Sequence, residues 1–187
     1  VEDIHVGDDE IIVFVLPEDA TGYVVLETGD MQSYAKVNEG VAVATISGVA
    51  EGNYTVVATY TGDDKYNTAD TSGDFEVTKV SEYNMTVDPS SDDGNITVDV
   101  TLPEDATGTV TVTINGTEYN TTVENGNANV RVDNLPPGET NVTVSYTGDN
   151  KYDPKETSVI VNNTKKDVIL TADVLEMYVG DGSKFTA

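Results

Sequence analysis

Residues 60–66 read YTGDDKY, and residues 146–152 read YTGDNKY. A second marker, LPEDATG, begins at Leu16 and begins again at Leu102. Both pairs of segments are separated by the same interval, since 146 − 60 = 86 and 102 − 16 = 86. Because chance matches would not share one interval, the two markers indicate a duplicated unit.

The composition of the chain restricts its partners. Among its 187 residues, 9 Lys and Arg against 34 Asp and Glu give a net charge of −25. Binding to nucleic acid or to anionic lipid needs clustered cations, so neither is expected as a partner. The sequence contains no Cys, which excludes disulfides and thiolate metal sites. No apolar run approaches the ~20 residues of a membrane-spanning helix, so direct membrane insertion is not expected.

Apolar residues alternate with polar ones through both units. Residues 95–102, NITVDVTL, place Ile96, Val98, Val100 and Leu102 on one face. This alternation is typical of half-buried antiparallel strands, and Asn115-Gly116 is a strong hairpin signal. The predicted strands of the first unit are 9–16, 22–28, 32–37, 41–46, 53–61 and 73–78. Those of the second are 83–88, 95–102, 108–114, 117–123, 127–132, 140–147 and 156–162.

Short strands separated by polar turns predict an all-β fold of tandem immunoglobulin-like antiparallel β-sandwiches. We expect domains at residues 1–79 and 80–166. The strand 83–88 has no counterpart after Val1, so the first strand of the first unit is expected to be missing or supplied from elsewhere.

The end of the sequence repeats its beginning. Val6-Gly7-Asp8 recurs as Val179-Gly180-Asp181, so residues 167–187 are expected to open a third repeat or to form an exchanged strand. In the first case the chain is part of a longer array. In the second, residues 167–173 fill the vacant first-strand position of another copy.

Residues 51–77, EGNYTVVATYTGDDKYNTADTSGDFEV, carry a resemblance to a known family. They resemble the immunoglobulin-like repeats of adhesin-like cell-surface proteins of methanogenic archaea, which are related to bacterial repeats. The resemblance implies an extracellular, cell-surface spacer whose partners are neighbouring repeats or other copies. Alternatives are a filament subunit joined by strand exchange, or an adhesion module that binds glycans or proteins of another cell. Candidate binding tyrosines are Tyr23, Tyr34, Tyr83 and Tyr119.

The Gly-Asp loops of the repeated motif allow two interpretations. Asp63 and Asp149 can cap the turn by accepting backbone N–H bonds, with Gly62 and Gly148 at positive φ. Alternatively, the loops coordinate Ca²⁺, although this ion needs about six to eight oxygen ligands. The candidate calcium ligands are Asp63, Asp64, Asp149 and Asn150, and no other cofactor is expected.

Seven Asn-x-Ser/Thr sequons predict N-glycosylation on a secreted protein. They begin at Asn53, Asn84, Asn95, Asn115, Asn120, Asn141 and Asn162. Asn95 and Asn141 fall on the outward phase of their predicted strands.

No arrangement of residues predicts an enzyme. His5 is the single histidine, and its counterpart in the second unit is Ser91, since 5 + 86 = 91. The acid pairs Glu18-Asp19 and Glu104-Asp105 lie in a duplicated turn, where solvated loop acids are expected. Tyr54, at the start of its strand, occupies the position of a tyrosine corner.

Overall fold

The structure is a computed structural model that describes residues 1–165 and 167–171. Most of the predicted third repeat therefore lies outside the described residues. Fourteen β-strands are present in the described part of the chain. The same part contains no helix that is long and apolar enough to cross a membrane.

The first unit contains two sheets that enclose one apolar core. Its strands, β1 to β7, are Ile4–His5, Glu10–Val15, Tyr23–Thr28, Met31–Lys36, Val41–Ile46, Gly52–Tyr60 and Ala69–Thr78. One sheet has the strand order β1-β7-β6-β3-β4, and the other consists of β2 and β5. All pairings are antiparallel except that of β1 with β7.

The second unit repeats this plan with a fuller second sheet. Its strands, β8 to β14, are Thr86–Asp92, Asn95–Thr101, Thr109–Ile114, Thr117–Thr122, Asn127–Val132, Gly138–Tyr146 and Lys155–Asn163. The sheets have the orders β11-β10-β13-β14 and β12-β9-β8. Strand β8 pairs with one edge of β9. The counterpart of β9 in the first unit is β2, and in the described residues no strand pairs with the equivalent edge of β2.

The period of two in the sequence decides which side chains are buried. On β9, Ile96, Val98 and Val100 are buried, while the residues between them are at least partly exposed. The first core is formed by residues between positions 4 and 77, and the second by residues between positions 80 and 161. Because β-branched side chains fit the pleated sheet, the Val and Thr alternation predicts both the strands and their orientation.

Two strand predictions need correction, and one strand was not predicted. The unpredicted strand is β1, which pairs with β7, so no described strand lies beside β2 in the way that β8 lies beside β9. The first strand of the second unit is β8, three residues later than predicted, because residues 83–85 contact the core before the ladder with β9 begins. Strand β7 begins at Ala69, four residues earlier than predicted, since it pairs with all of β6.

The tyrosine corner predicted at Tyr54 is present. Its hydroxyl donates to the carbonyl oxygen of Ala50, 3.0 Å away, and its ring stacks on Phe75. In the second unit Thr140 is buried at this position, so only the first of the two units has a tyrosine corner.

Substituting Tyr54→Phe is expected to destabilise the first unit by about 1 kcal/mol, the usual contribution of one hydrogen bond. Urea unfolding followed by tyrosine fluorescence measures this loss. The control is Tyr23→Phe, because Tyr23 is 47% exposed and no hydrogen bond of its hydroxyl is present in the described residues. Equal effects of the two substitutions would contradict the assignment.

Candidate functional site

The repeated YTGD loops are built around one aspartate in each unit. Asp149 Oδ1 accepts hydrogen bonds from the backbone N–H groups of Lys151 and Tyr152, at 2.8 and 2.7 Å. Its Oδ2 accepts from the N–H and the hydroxyl of Thr107, at 2.7 and 3.0 Å. Asp63 makes the same four bonds in the first unit. The capping role predicted for Asp63 and Asp149 is therefore confirmed, and each carboxylate also bridges to a second loop.

Glycine is required beside each of these aspartates. Gly148 has φ +73°, and a Cβ atom built on it would lie 2.7 Å from the carbonyl oxygen of Tyr152. Gly62 has φ +74° and a similar approach to Tyr66. A side chain at either position would be strained and would also collide with backbone.

A second acid in each unit holds the tyrosine and lysine of the motif. Asp105 accepts from Lys151 Nζ at 2.7 Å and from the hydroxyl of Tyr152 at 2.6 Å. Asp19 is bonded in the same way to Lys65 and Tyr66. The interpretation as solvated loop acids was wrong for Asp19 and Asp105, because each contacts two partners from the distant loop. Glu18 and Glu104 are exposed, as expected.

These contacts were missed because the two loops are far apart in sequence. The signal was nevertheless present in the duplication. Aspartate, lysine and tyrosine are all retained at the interval of 86, since 19 + 86 = 105, 65 + 86 = 151 and 66 + 86 = 152.

The hydrogen bonds favour the charged form of these carboxyl groups. Burial alone would raise the pKa of Asp149, but the bonds from Thr107, Tyr152 and Lys151 lower it to about 2. In the first unit, the hydrogen bond from the backbone N–H of Thr21 is the main cause of the lowered pKa of Asp63. The pKa of Asp105 is lowered mainly by Lys151.

The depressed pKa values predict that acid destabilises both units. A carboxyl group whose folded pKa lies below its unfolded value near 3.8 stabilises the fold above pH 3.8. That contribution is lost as the pH falls through the folded pKa, which is about 2 for Asp149. We expect this group to contribute about 2 kcal/mol to the loss between pH 5 and pH 2.

Urea titrations at closely spaced pH values measure this loss. In Asp149→Asn, the pH dependence of the second unit should become shallower between pH 4 and pH 2. An unchanged slope would show that Asp149 titrates normally.

Calcium binding at these loops stays a prediction. The carboxylates of Asp63 and Asp149 each accept four hydrogen bonds from protein groups. Asp64 and Asn150 are exposed beside them. Within residues 1–165 and 167–171, no three His, Cys, Asp or Glu side chains are grouped in a way that could hold a metal ion.

Six of the seven sequon asparagines are exposed. Asn120, Asn141 and Asn162 lie on β11, β13 and β14, on the outward face of one sheet. Asn95 differs, because it is half-buried and its Oδ1 accepts from the N–H of Asn134. Asn95 lies on the outward phase of β9, as predicted, but it is less accessible than the other six. The other exposed asparagines are Asn53, Asn84 and Asn115.

The candidate binding tyrosines divide into two groups. Tyr23 and Tyr34 are 47% and 65% exposed, and they lie diagonally across the β3–β4 ladder. Tyr83 and Tyr119 pack against the second core instead. Tyr83 contacts the rings of Tyr146 and Tyr152, which identifies it as a structural residue.

His5, the histidine weighed above for catalysis, contacts the end of β7. Its Nδ1 lies 2.9 Å from the hydroxyl oxygen of Thr78, and its backbone N–H donates to Asp8. The arrangement ties the beginning of the first unit to β7. A non-enzymatic role for the chain stays a prediction.

Comparison with known proteins gives one match to a family model and similarities to solved structures. Residues 84–164 match the sequence model of the bacterial Ig-like domain (group 3) family. The structure is similar to fibronectin(III)-like modules of Clostridium thermocellum CbhA, at 16% identity, covering 92% of this chain and 94% of that one, with a TM-score of 0.36. It is also similar to a two-domain fibronectin type III segment of chicken tenascin, at 14% identity, 84% and 94% coverage and a TM-score of 0.42. No curated protein matches the sequence.

The predicted fold class is thus confirmed: the chain is all-β and immunoglobulin-like. The archaeal, adhesin-like origin implied by the resemblance stays a prediction.

Proposed function

We propose that the chain is an extracellular structural spacer of a cell-surface protein, made of two domains at residues 1–79 and 80–166. The observation that carries the proposal is the parallel pairing of β1 with β7. These are the first and last strands of the first unit, so tension applied along the chain enters through one and leaves through the other.

Parallel end strands resist extension in a specific way. The hydrogen bonds between the two strands lie perpendicular to the applied force. The force therefore acts on all of these bonds together and does not open them one at a time. The pairing of Ile4 with Val77 is supplemented by the bond from Val6 N–H to the carbonyl of Thr78, at 2.9 Å. In the second unit, an isolated parallel bridge joins Val80, which precedes β8, to Tyr152, which precedes β14.

The acidic surface and the sequons suit an extracellular location. A net charge of −25 makes neighbouring chains repel one another and favours solubility. Glycans on Asn120, Asn141 and Asn162 would cover one sheet without entering the core. Intact-mass measurement of native material should show hexose additions, and their absence would remove this support.

Force spectroscopy tests the load-bearing role. Val6→Pro removes the N–H that donates to Thr78, and it should lower the force at which the first unit unfolds. The matched control, Val6→Ala, shortens the side chain but retains the N–H. The second unit is an internal reference because neither substitution touches it. Equal forces for the two variants would contradict load transfer through β1 and β7.

Glycan binding is a second candidate function, and the exposed pair Tyr23 and Tyr34 favours it. Aromatic faces on a flat sheet suit stacking against sugar rings. A glycan array that shows binding by the unmodified chain and loss of binding in Tyr34→Ala would support this role. Binding that Tyr34→Ala leaves intact would exclude these two tyrosines.

Strand exchange between copies stays the third candidate. In the described residues β2 pairs only with β5, and a cavity of about 220 Å³ lies beside it, lined in part by Ile12, Phe14 and Gly73. Val168, Ile169 and Leu170, in the proposed donor segment, are at least 86% exposed. The rest of the segment, residues 172–173, lies outside the described residues.

A further inference from the structure

The outer surface of the β2–β5 sheet is apolar. Its side chains point away from the core of the first unit, and those of Val13 and Val43 are directly opposite each other across the ladder. We call this surface the apolar face. It consists of Ile11, Val13, Val15, Val41 and Val43, which are 62%, 58%, 83%, 40% and 54% exposed.

The second unit provides an internal comparison for this face. Its polar counterparts at the interval of 86 are Thr97, Asp99, Thr101, Asn127 and Asn129. There, Asn129 Nδ2 donates to Asp99 Oδ1 at 2.6 Å. The fold therefore accepts polar residues at all five positions, and stability of the sandwich does not require the apolar ones.

The area of the apolar face is comparable to that of the largest apolar patches on monomeric proteins. Five such side chains at these exposures present about 500 Å² of apolar surface, within the range of the largest patches on ordinary monomers, which are often functional. None of the five carries a charge or a hydrogen-bonding group. A partner must therefore offer an apolar surface of similar flatness.

We propose that the apolar face packs against the same face of a second copy of this chain, around a two-fold axis. Two facing sheets with β-branched side chains can approach to about 10 Å, as within a sandwich. The pair would bury about 1,000 Å² in total, which is the smallest area expected of a specific interface. The contact is isologous, because each copy supplies the same residues.

The acidic residues around the face give the dimer a distinctive salt dependence. Asp9 lies just before β2, and Glu39 lies just before β5. Because these two strands are antiparallel, each end of the apolar face carries an exposed acid. In the dimer these acids repel, as do the two net charges of −25. Because the screening length falls from about 10 Å at 0.1 M salt to about 3 Å at 1 M, added salt should strengthen the contact.

The dimer is independent of the proposed spacer role. It would join two chains side by side, whereas load passes along each chain through β1 and β7. Failure of one proposal leaves the other unaffected, because Val6→Pro tests the load path and substitutions on the apolar face test the dimer.

Sedimentation equilibrium of the full chain, from micromolar to about 0.5 mM, tests the proposal. We expect a reversible dimer with Kd on the order of 100 µM in 0.1 M NaCl, as befits a small interface, and at least threefold tighter association in 1 M NaCl. The double substitution Val13→Asp with Val43→Asn copies the residues of the second unit, Asp99 and Asn129, and should weaken the dimer at least tenfold.

The second unit also supplies the matched control. Val15→Asp adds a charge to the apolar face and should weaken the dimer, whereas Thr101→Asp adds the same charge at the equivalent position of the second unit and should not. Circular dichroism and melting temperature establish that each variant is folded.

Three outcomes would overturn the proposal. The first is a monomer at every concentration in 1 M NaCl, which would leave the face to a different protein. The second is a dimer that the double substitution does not weaken. The third is a dimer that is lost in Ile169→Asp but kept in the double variant, which would indicate strand exchange instead.

Discussion

Val112→Asp is expected to unfold the second unit while the first unit remains folded. Val112 is 0% exposed at the centre of β10, where it packs within the apolar core of the second unit. A buried, unpaired charge costs more than about 4 kcal/mol, which approaches the whole stability of a small domain. The effect should stop at the unit boundary, because the two cores share no residue.

The duplication supplies a reciprocal experiment. Leu26 is the counterpart of Val112 and is 2% exposed, so Leu26→Asp should unfold the first unit and spare the second. Calorimetry should show one of two transitions lost in each variant, and amide spectra should identify which unit remains folded. Thr117→Asp, at an exposed position on β11, is the control and should change neither transition. Loss of both units in either variant would contradict independent folding.

Asp149→Asn is expected to destabilise the second unit by about 3 kcal/mol, because it affects charge-assisted hydrogen bonds. The new amide has a single acceptor oxygen, so it cannot accept both from Thr107 and from the N–H groups of Lys151 and Tyr152. Its NH2 group faces one of these two pairs of donors, and either the link to Thr107 or the turn at Lys151 is then disrupted. Urea unfolding of the second unit measures the change.

The neighbour Asn150 provides the matched control for this prediction. It is exposed, so Asn150→Ala should change the stability by less than about 0.5 kcal/mol. Asp63→Asn should weaken the first unit in the same direction as Asp149→Asn weakens the second. An effect of Asp149→Asn no larger than that of Asn150→Ala would show that the four hydrogen bonds do not stabilise the loop.

The sequence was sufficient to predict the layered fold. The alternation along residues 95–102 predicted which side chains of β9 are buried, because a strand turns successive side chains to opposite faces. The Gly-Asp turns were also predictable, since glycine at positive φ and an aspartate that accepts from following N–H groups are local features. Tyr54 could be placed for the same reason.

Contacts between distant segments could not be predicted in this way. The parallel pairing of β1 with β7 depends on where the chain crosses from one sheet to the other, which periodicity does not encode. The bonds of Asp105 to Lys151 and Tyr152 likewise join separate loops. The apolar face could not be predicted from the sequence. Ile11, Val13 and Val15 alternate with inward-facing apolar residues, so the strand is apolar at every position and its outward residues cannot be distinguished.

Stretching single chains tests most directly whether two successive sandwiches carry load as a spacer. The account predicts two separate unfolding events, each releasing about 25 nm, the extended length of roughly 80 residues less the folded unit. A single event that releases twice this length, or extension without a resisting event, would contradict it.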